Sequence, residues 1–204
     1  MFRAALPLLL LAACAVREVA EDRAVLRVAG SPVTVVAPAG FCVDPQSVDV
    51  TRAGGRLLFG DCAVLNGVAA EGAPVAAVIS ASISEEGVPG SLADLRAFLV
   101  EGPGVVTLGR SGLPDQVRVR ASAVRDGVLY IKIEDRGPSP IPGAAPVFWR
   151  GFFEAGERLV IGTVNGFGSG LSDGASQRIL KSLADGTRAA NPVAVAAEDA
   201  EPAS

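Results

Sequence analysis

Residues 117–134 read VRVRASAVRDGVLYIKIE, and this stretch decides the fold. Val117, Val119, Ala121 and Ala123 alternate with Arg118, Arg120 and Ser122; beyond Asp126-Gly127, Leu129, Ile131 and Ile133 alternate with Tyr130, Lys132 and Glu134. A period of two sends successive side chains to opposite faces of a strand. Asp-Gly between two such runs suits a type I′ turn. The segment is therefore expected to form an antiparallel hairpin, with Arg118, Arg120, Tyr130 and Lys132 sharing one face as a candidate binding surface of basic and aromatic character, or as a plain solvated face.

Working outward, residues 147–154 and 158–165 flank Ala155-Gly156-Glu157 and predict a second hairpin. Its first strand carries aromatics on both faces, so core should cover one side and a helix the other. Upstream, residues 25–29 and 33–37 are β-branched runs broken by Gly30-Ser31-Pro32, a third hairpin signal. Asp44-Pro45 can open a short helical turn towards Val50, with Asp44 as its cap. Residues 56–62 follow Gly54-Gly55 as another strand, and residues 74–84, apolar or small on both faces, read as a central one.

Two helices stand out. Ser91 and Asp94 form a capping-box pair ahead of the stripe Leu92, Leu95, Phe98 and Leu99, and Gly102-Pro103 closes that helix. Ser172 caps the other, whose stripe is Ala175, Ile179, Leu180 and Leu183, with Gly186 as its expected stop. Residues 104–115 read as loop with a short strand at 105–108. The sum is an α+β class: a single domain with a mostly antiparallel sheet of about six strands and two main helices packed on it. The order of hairpins followed by a terminal helix over residues 25–188 resembles PsbP-like domains, a likeness of element order that carries no function across.

The chain has 204 residues, half of them apolar, and a net charge of −4, room for one ordinary domain and no electrostatic case for nucleic acid. It contains no His, which excludes Ser-His-Asp and Cys-His catalysis and imidazole-based zinc sites within the chain. No cofactor or metal site is expected.

The first residues set the compartment. Met1-Phe2-Arg3 is a basic n-region and residues 4–13 an apolar h-region too short to span a bilayer. Leu11-Ala12-Ala13-Cys14 resembles a bacterial lipobox. The resemblance implies cleavage before Cys14, acylation of Cys14, and a chain held to the membrane by that lipid; Ala15 after the cysteine implies the outer membrane rather than the inner. The other reading is a plain secretory signal, with Ala13-Cys14-Ala15 as an A-x-A-like cleavage site. The expected organisation is signal peptide 1–13, tether 14–24, α+β domain 25–188 and a disordered acidic tail 189–204. Setting Cys14 aside leaves Cys42 and Cys62, an even pair in a compartment that permits disulfides, and they are predicted to bond.

No catalytic signature is complete. Gly166-Phe167-Gly168-Ser169-Gly170 precedes a helix but has Leu171 where G-x-G-x-x-G needs glycine, and an anion there would meet Asp173. G-x-S-x-G fails at Ser169 and at Ser111, and no S-x-x-K precedes Lys132 or Lys181. Glu85-Glu86 and Glu134-Asp135 are adjacent carboxylates with the side chains of each pair on opposite strand faces. The proline-rich stretch 138–146 reads as a stiff connector or a partner contact. Two functions follow: a non-catalytic binding or structural lipoprotein of the cell envelope, with an envelope protein, peptidoglycan or small ligand as partner, or a periplasmic hydrolase that assembles carboxylates, Ser or Lys, for example Glu134 with Asp173.

Overall fold

The computed structural model describes residues 18–68, 77–109, 112–168 and 171–193. The leader and Cys14 lie outside these residues, as do Ser111, Ser169 and most of the acidic tail. At the organising hairpin, β8 (Val117–Arg125) and β9 (Val128–Asp135) pair antiparallel. Asp126 and Gly127 take φ of 51° and 69°, the left-handed pair that lets two strands reverse without splaying. The same solution recurs at Ala29 and Gly30, φ 48° and 85°, between β2 (Arg23–Val28) and β3 (Ser31–Val36). The hairpin of β10 (Val147–Ala155) and β11 (Arg158–Gly166) closes more tightly than expected, with Ala155 already paired to Arg158.

The remaining strands are β1 (Glu18–Ala20), β4 (Phe41–Val43), β5 (Asp49–Thr51), β6 (Gly54–Asp61) and β7 (Ala77–Ser84). Among the described residues, eight strands form the main sheet, in the order β4-β6-β7-β11-β10-β9-β8 with β5 also on β6. β1, β2 and β3 form a separate three-stranded sheet. Every pairing among the described residues is antiparallel. The expected single sheet of about six strands is thus corrected in two ways. The first hairpin stands apart from the main sheet, and β4 and β5, three residues each, are too short to display a period. β1 also extends ordered pairing into the segment expected to be tether. Central placement of β7 is as expected: it lies between β6 and β11.

Among the described residues, three α-helices accompany the strands: α1 (Cys62–Leu65), α2 (Leu92–Val100) and α3 (Asp173–Ala190). α2 carries the full capping box of Ser91 and Asp94, but its Phe98 is 49% exposed rather than core. Asp44 caps a 3-10 turn at Pro45–Ser47; the chain then enters β5 instead of continuing as helix. The strand expected at 105–108 is a 3-10 helix, Pro103–Leu108, because Pro103 fixes its first turn and the Thr107 hydroxyl donates back to the Gly104 carbonyl at 2.6 Å.

The main sheet is covered on both faces. One core joins Phe59, Ile79, Tyr130, Trp149 and Phe153 to α3 and the β2–β3 hairpin; the other joins Leu129, Ile131, Ile133, Phe148 and Phe152 to Leu99 and Leu108. Gly151 and Gly162 are cross-strand partners beneath α3. A Cβ on Gly162 would lie 2.6 Å from Leu183 Cδ2, so the bare backbone sets how closely α3 seats. Gly186 does not end α3, which runs on to Ala190. The β2–β3 hairpin lies against it there, where a Cβ would meet Val36 Cγ1 at 3.1 Å, and the glycine serves packing. Asn191 then caps the helix and pins it to β3, accepting from the Thr34 N–H at 2.9 Å and donating to the Thr34 carbonyl at 2.6 Å. Cys42 and Cys62 form the predicted disulfide, which links β4 to the start of α1.

Candidate functional site

A β-bulge interrupts the β8–β9 ladder between Val119 and Ala121. An unpaired extra residue reverses the alternation that follows it. Arg118 lies opposite Glu134, but beyond the bulge Ala121 lies opposite Lys132 and Ala123 opposite Tyr130. The expected basic and aromatic face is therefore divided. Arg118 is exposed. Arg120, from the bulge, forms an ion pair with Glu134, whose other oxygen accepts from Arg136 Nε at 3.2 Å. Tyr130 is only 3% exposed and belongs to the core. Burial pushes its phenol pKa upward, and Arg125 lies 5.4 Å from its ring centroid.

Lys132 reaches a cleft that none of the other three lines. Its ammonium lies 2.8 Å from Asp173 Oδ1 and 2.9 Å from Oδ2, at the start of α3. The Trp149 indole N–H donates to Asp173 Oδ1 at 3.0 Å. These groups stand in a cleft of about 320 Å³ between the end of the β9–β10–β11 ladder and the first turns of α3. The stretch 138–146 supplies one wall. It is tied down by the Ala145 N–H to the Gly166 carbonyl and the Asp135 N–H to the Pro146 carbonyl, both 2.8 Å. Ser176, one turn into α3, lines the cleft and is 4% exposed.

The Lys132 ammonium first, and the Trp149 N–H second, hold Asp173 below the ordinary carboxylate range. Its folded pKa is the lowered one, so the stabilisation is complete above the ordinary aspartate range and is lost as the pH falls through the lowered value. Trp149 is the only tryptophan. Its fluorescence is expected to stay constant down to that range and to change only below it, with the transition absent in Asp173→Asn. A transition at or above the ordinary range, with far-UV circular dichroism unchanged, would refute the pairing.

The paired carboxylates do not converge. Glu134 is engaged by Arg120 and Arg136, Asp173 by Lys132 and Trp149, and Glu85 and Glu86 are exposed at the end of β7. Asp135, wholly buried, accepts from the Gly137 N–H at 2.7 Å. Gly166 and Phe167 serve structure, bonding to Ala145 and bridging to Ala144. Two residues of the cleft were missed in the sequence. Trp149 could have been found from its N–H, which needs a partner once the ring is buried. Ser176 could have been found as a hydroxyl on the apolar face of α3, beside Ala175 and Ile179. Compared with known proteins, the chain matches no family model, and neither the curated proteins nor the solved structures contain a significant match.

Proposed function

We propose that the chain is a lipid-anchored protein of the bacterial envelope whose α+β domain binds a partner or ligand on the periplasmic side. The observation that carries the reading is the Cys42–Cys62 disulfide, which suits the oxidising compartment to which the lipobox-like leader would deliver the domain. The Lys132–Asp173–Trp149 cleft supplies a place for binding. The alternative, a hydrolase built on Glu134 and Asp173, has less support because each carboxylate is already bound to its own cation.

Expressed at full length in a bacterial host, the chain is expected to fractionate with membranes and to carry the mass of an acylated Cys14. Cys14→Ser should move it to the soluble fraction. A Cys14→Ser protein that remains with membranes would overturn the anchor. Cross-linking of the intact envelope, followed by mass spectrometry, tests for a protein partner.

A further inference from the structure

We propose that the pocket between the β8–β9 turn and the first half of α3 binds a terminal phosphate group, as the free ion or a monoester, through Arg125, Arg178 and Lys181. The pocket has a volume of about 210 Å³, and Asp126, Tyr130 and Gln177 line it beside the three cations. It shares no residue with the Lys132–Asp173–Trp149 cleft, so the inference goes beyond the function proposed above. The chain as a whole has a net charge of −4, yet this lining sets three cations against a single carboxylate, Asp126. At neutral pH a phosphate monoester carries close to two negative charges and three accepting oxygens, which that excess matches; a carboxylate would answer only half of it.

Two elements bring these groups together. Gln177 and Arg178 stand one turn before Lys181, on one face of α3. Opposite them, the bulge at Arg120 decides which side chains of β8 arrive. Past it, Ala123 lies across from Tyr130 and Arg125 across from Val128, so Arg125 turns to the α3 side, where an unbroken alternation would have sent Val124. Arg125 donates to Gln177 Oε1 at 2.6 Å and lies 5.4 Å from the Tyr130 ring centroid, contacts that orient its guanidinium without neutralising it. Arg178 is exposed and has no ion pair among the described residues. Lys181 bonds Asp185 at 2.5 Å and keeps two of its three N–H donors. Tyr130 is 3% exposed, yet its phenol stands among Asp126, Lys181, Arg125 and Asp185, so a ring held by the core presents its hydroxyl to this pocket. Two guanidiniums suit a phosphate because each can offer parallel N–H groups to a pair of its oxygens.

The test is calorimetric titration of the full-length Cys14→Ser chain, which removes any lipid of the chain's own, with inorganic phosphate, glycerol 3-phosphate and acetate at low ionic strength. Phosphate and its ester are expected to saturate, with acetate weaker by about tenfold or more. Arg125→Gln and Arg178→Gln should each weaken binding about tenfold and Tyr130→Phe about threefold. Arg52→Gln, which removes the same charge from the exposed β5–β6 turn, should change nothing. Flotation with phosphatidylcholine vesicles, with and without phosphatidic acid, separates the two sources of the group. Retention that requires both phosphatidic acid and Arg178 assigns it to a lipid headgroup, and saturation in solution without such retention assigns it to a free ester or ion. Acetate binding as tight as phosphate, equal losses in Arg178→Gln and Arg52→Gln, or silence in both arms overturns the phosphate site. Fractionation and cross-linking still decide the anchor and the protein partner on their own.

Discussion

Phe153→Ala is expected to destabilise the domain by about 3–5 kcal/mol, the range for removing a fully buried aromatic ring from a core that relaxes only in part. Phe153 is 0% exposed and among the largest side chains so enclosed. It lies on β10, whose neighbours β9 and β11 are both paired to it along most of its length, so the surrounding backbone has little freedom to collapse into the space. Arg188 lies 5.4 Å above the ring and bonds the carbonyls of Asp126, Gly127 and Glu154. This one guanidinium fastens the last turn of α3 to the ends of two hairpins, and the ring supports it from below. Urea unfolding read by circular dichroism measures the loss, with Phe98→Ala as the control. Phe98 is half exposed, and its removal should cost under about 1 kcal/mol. A Phe153→Ala loss no larger than that of the control would mean that the core is not built around this strand.

What could be read from the sequence depends on whether the determining interaction is local. The β8–β9 hairpin was legible because Asp126-Gly127 supplies the turn and the flanking strands carry their own alternation. The capping box of Ser91 and Asp94 and the cap at Ser172 were legible for the same reason: a short polar side chain meets an amide three residues away. The bulge at Arg120 was not, since an inserted residue leaves the written alternation intact and changes only the partner opposite. β4 and β5 were missed because each holds three residues, and their identity as strands comes from β6. Gly186 has the chemistry of a stop signal, yet packing of the β2–β3 hairpin against it decides its role. The cleft was legible in part. Lys132 and Asp173 were each named, but they are 41 residues apart, and only the tertiary fold brings them together with Trp149 and Ser176.

Removal of the Cys42–Cys62 disulfide is the second large effect, expected to cost about 3 kcal/mol for a loop of sequence separation 20 in the chain-entropy model. The bond holds an edge. β4 pairs with β6 over only Phe41, Cys42 and Val43, and on the other side the Val43 N–H donates to the Glu21 carbonyl at 2.9 Å, so this short strand joins the main sheet to the smaller one. At the far end of the loop, Asp61 caps α1 by accepting from Ala63 at 2.8 Å and Val64 at 3.3 Å, a cap that depends on the chain direction that Cys62 fixes. A Cys42→Ala/Cys62→Ala variant should therefore lose amide protection first at Phe41–Val43 and in α1, while β9, β10 and β11 keep theirs until global unfolding. Urea unfolding gives the size of the loss, and hydrogen exchange gives its place. If the variant matches the parent to within about 0.5 kcal/mol, or if peptide mapping after denaturation without reductant finds free thiols at both positions, the bond is not a structural element. The oxidising compartment would then lose its support from within the fold, and the leader at Leu11-Ala12-Ala13-Cys14 would have to carry that argument alone.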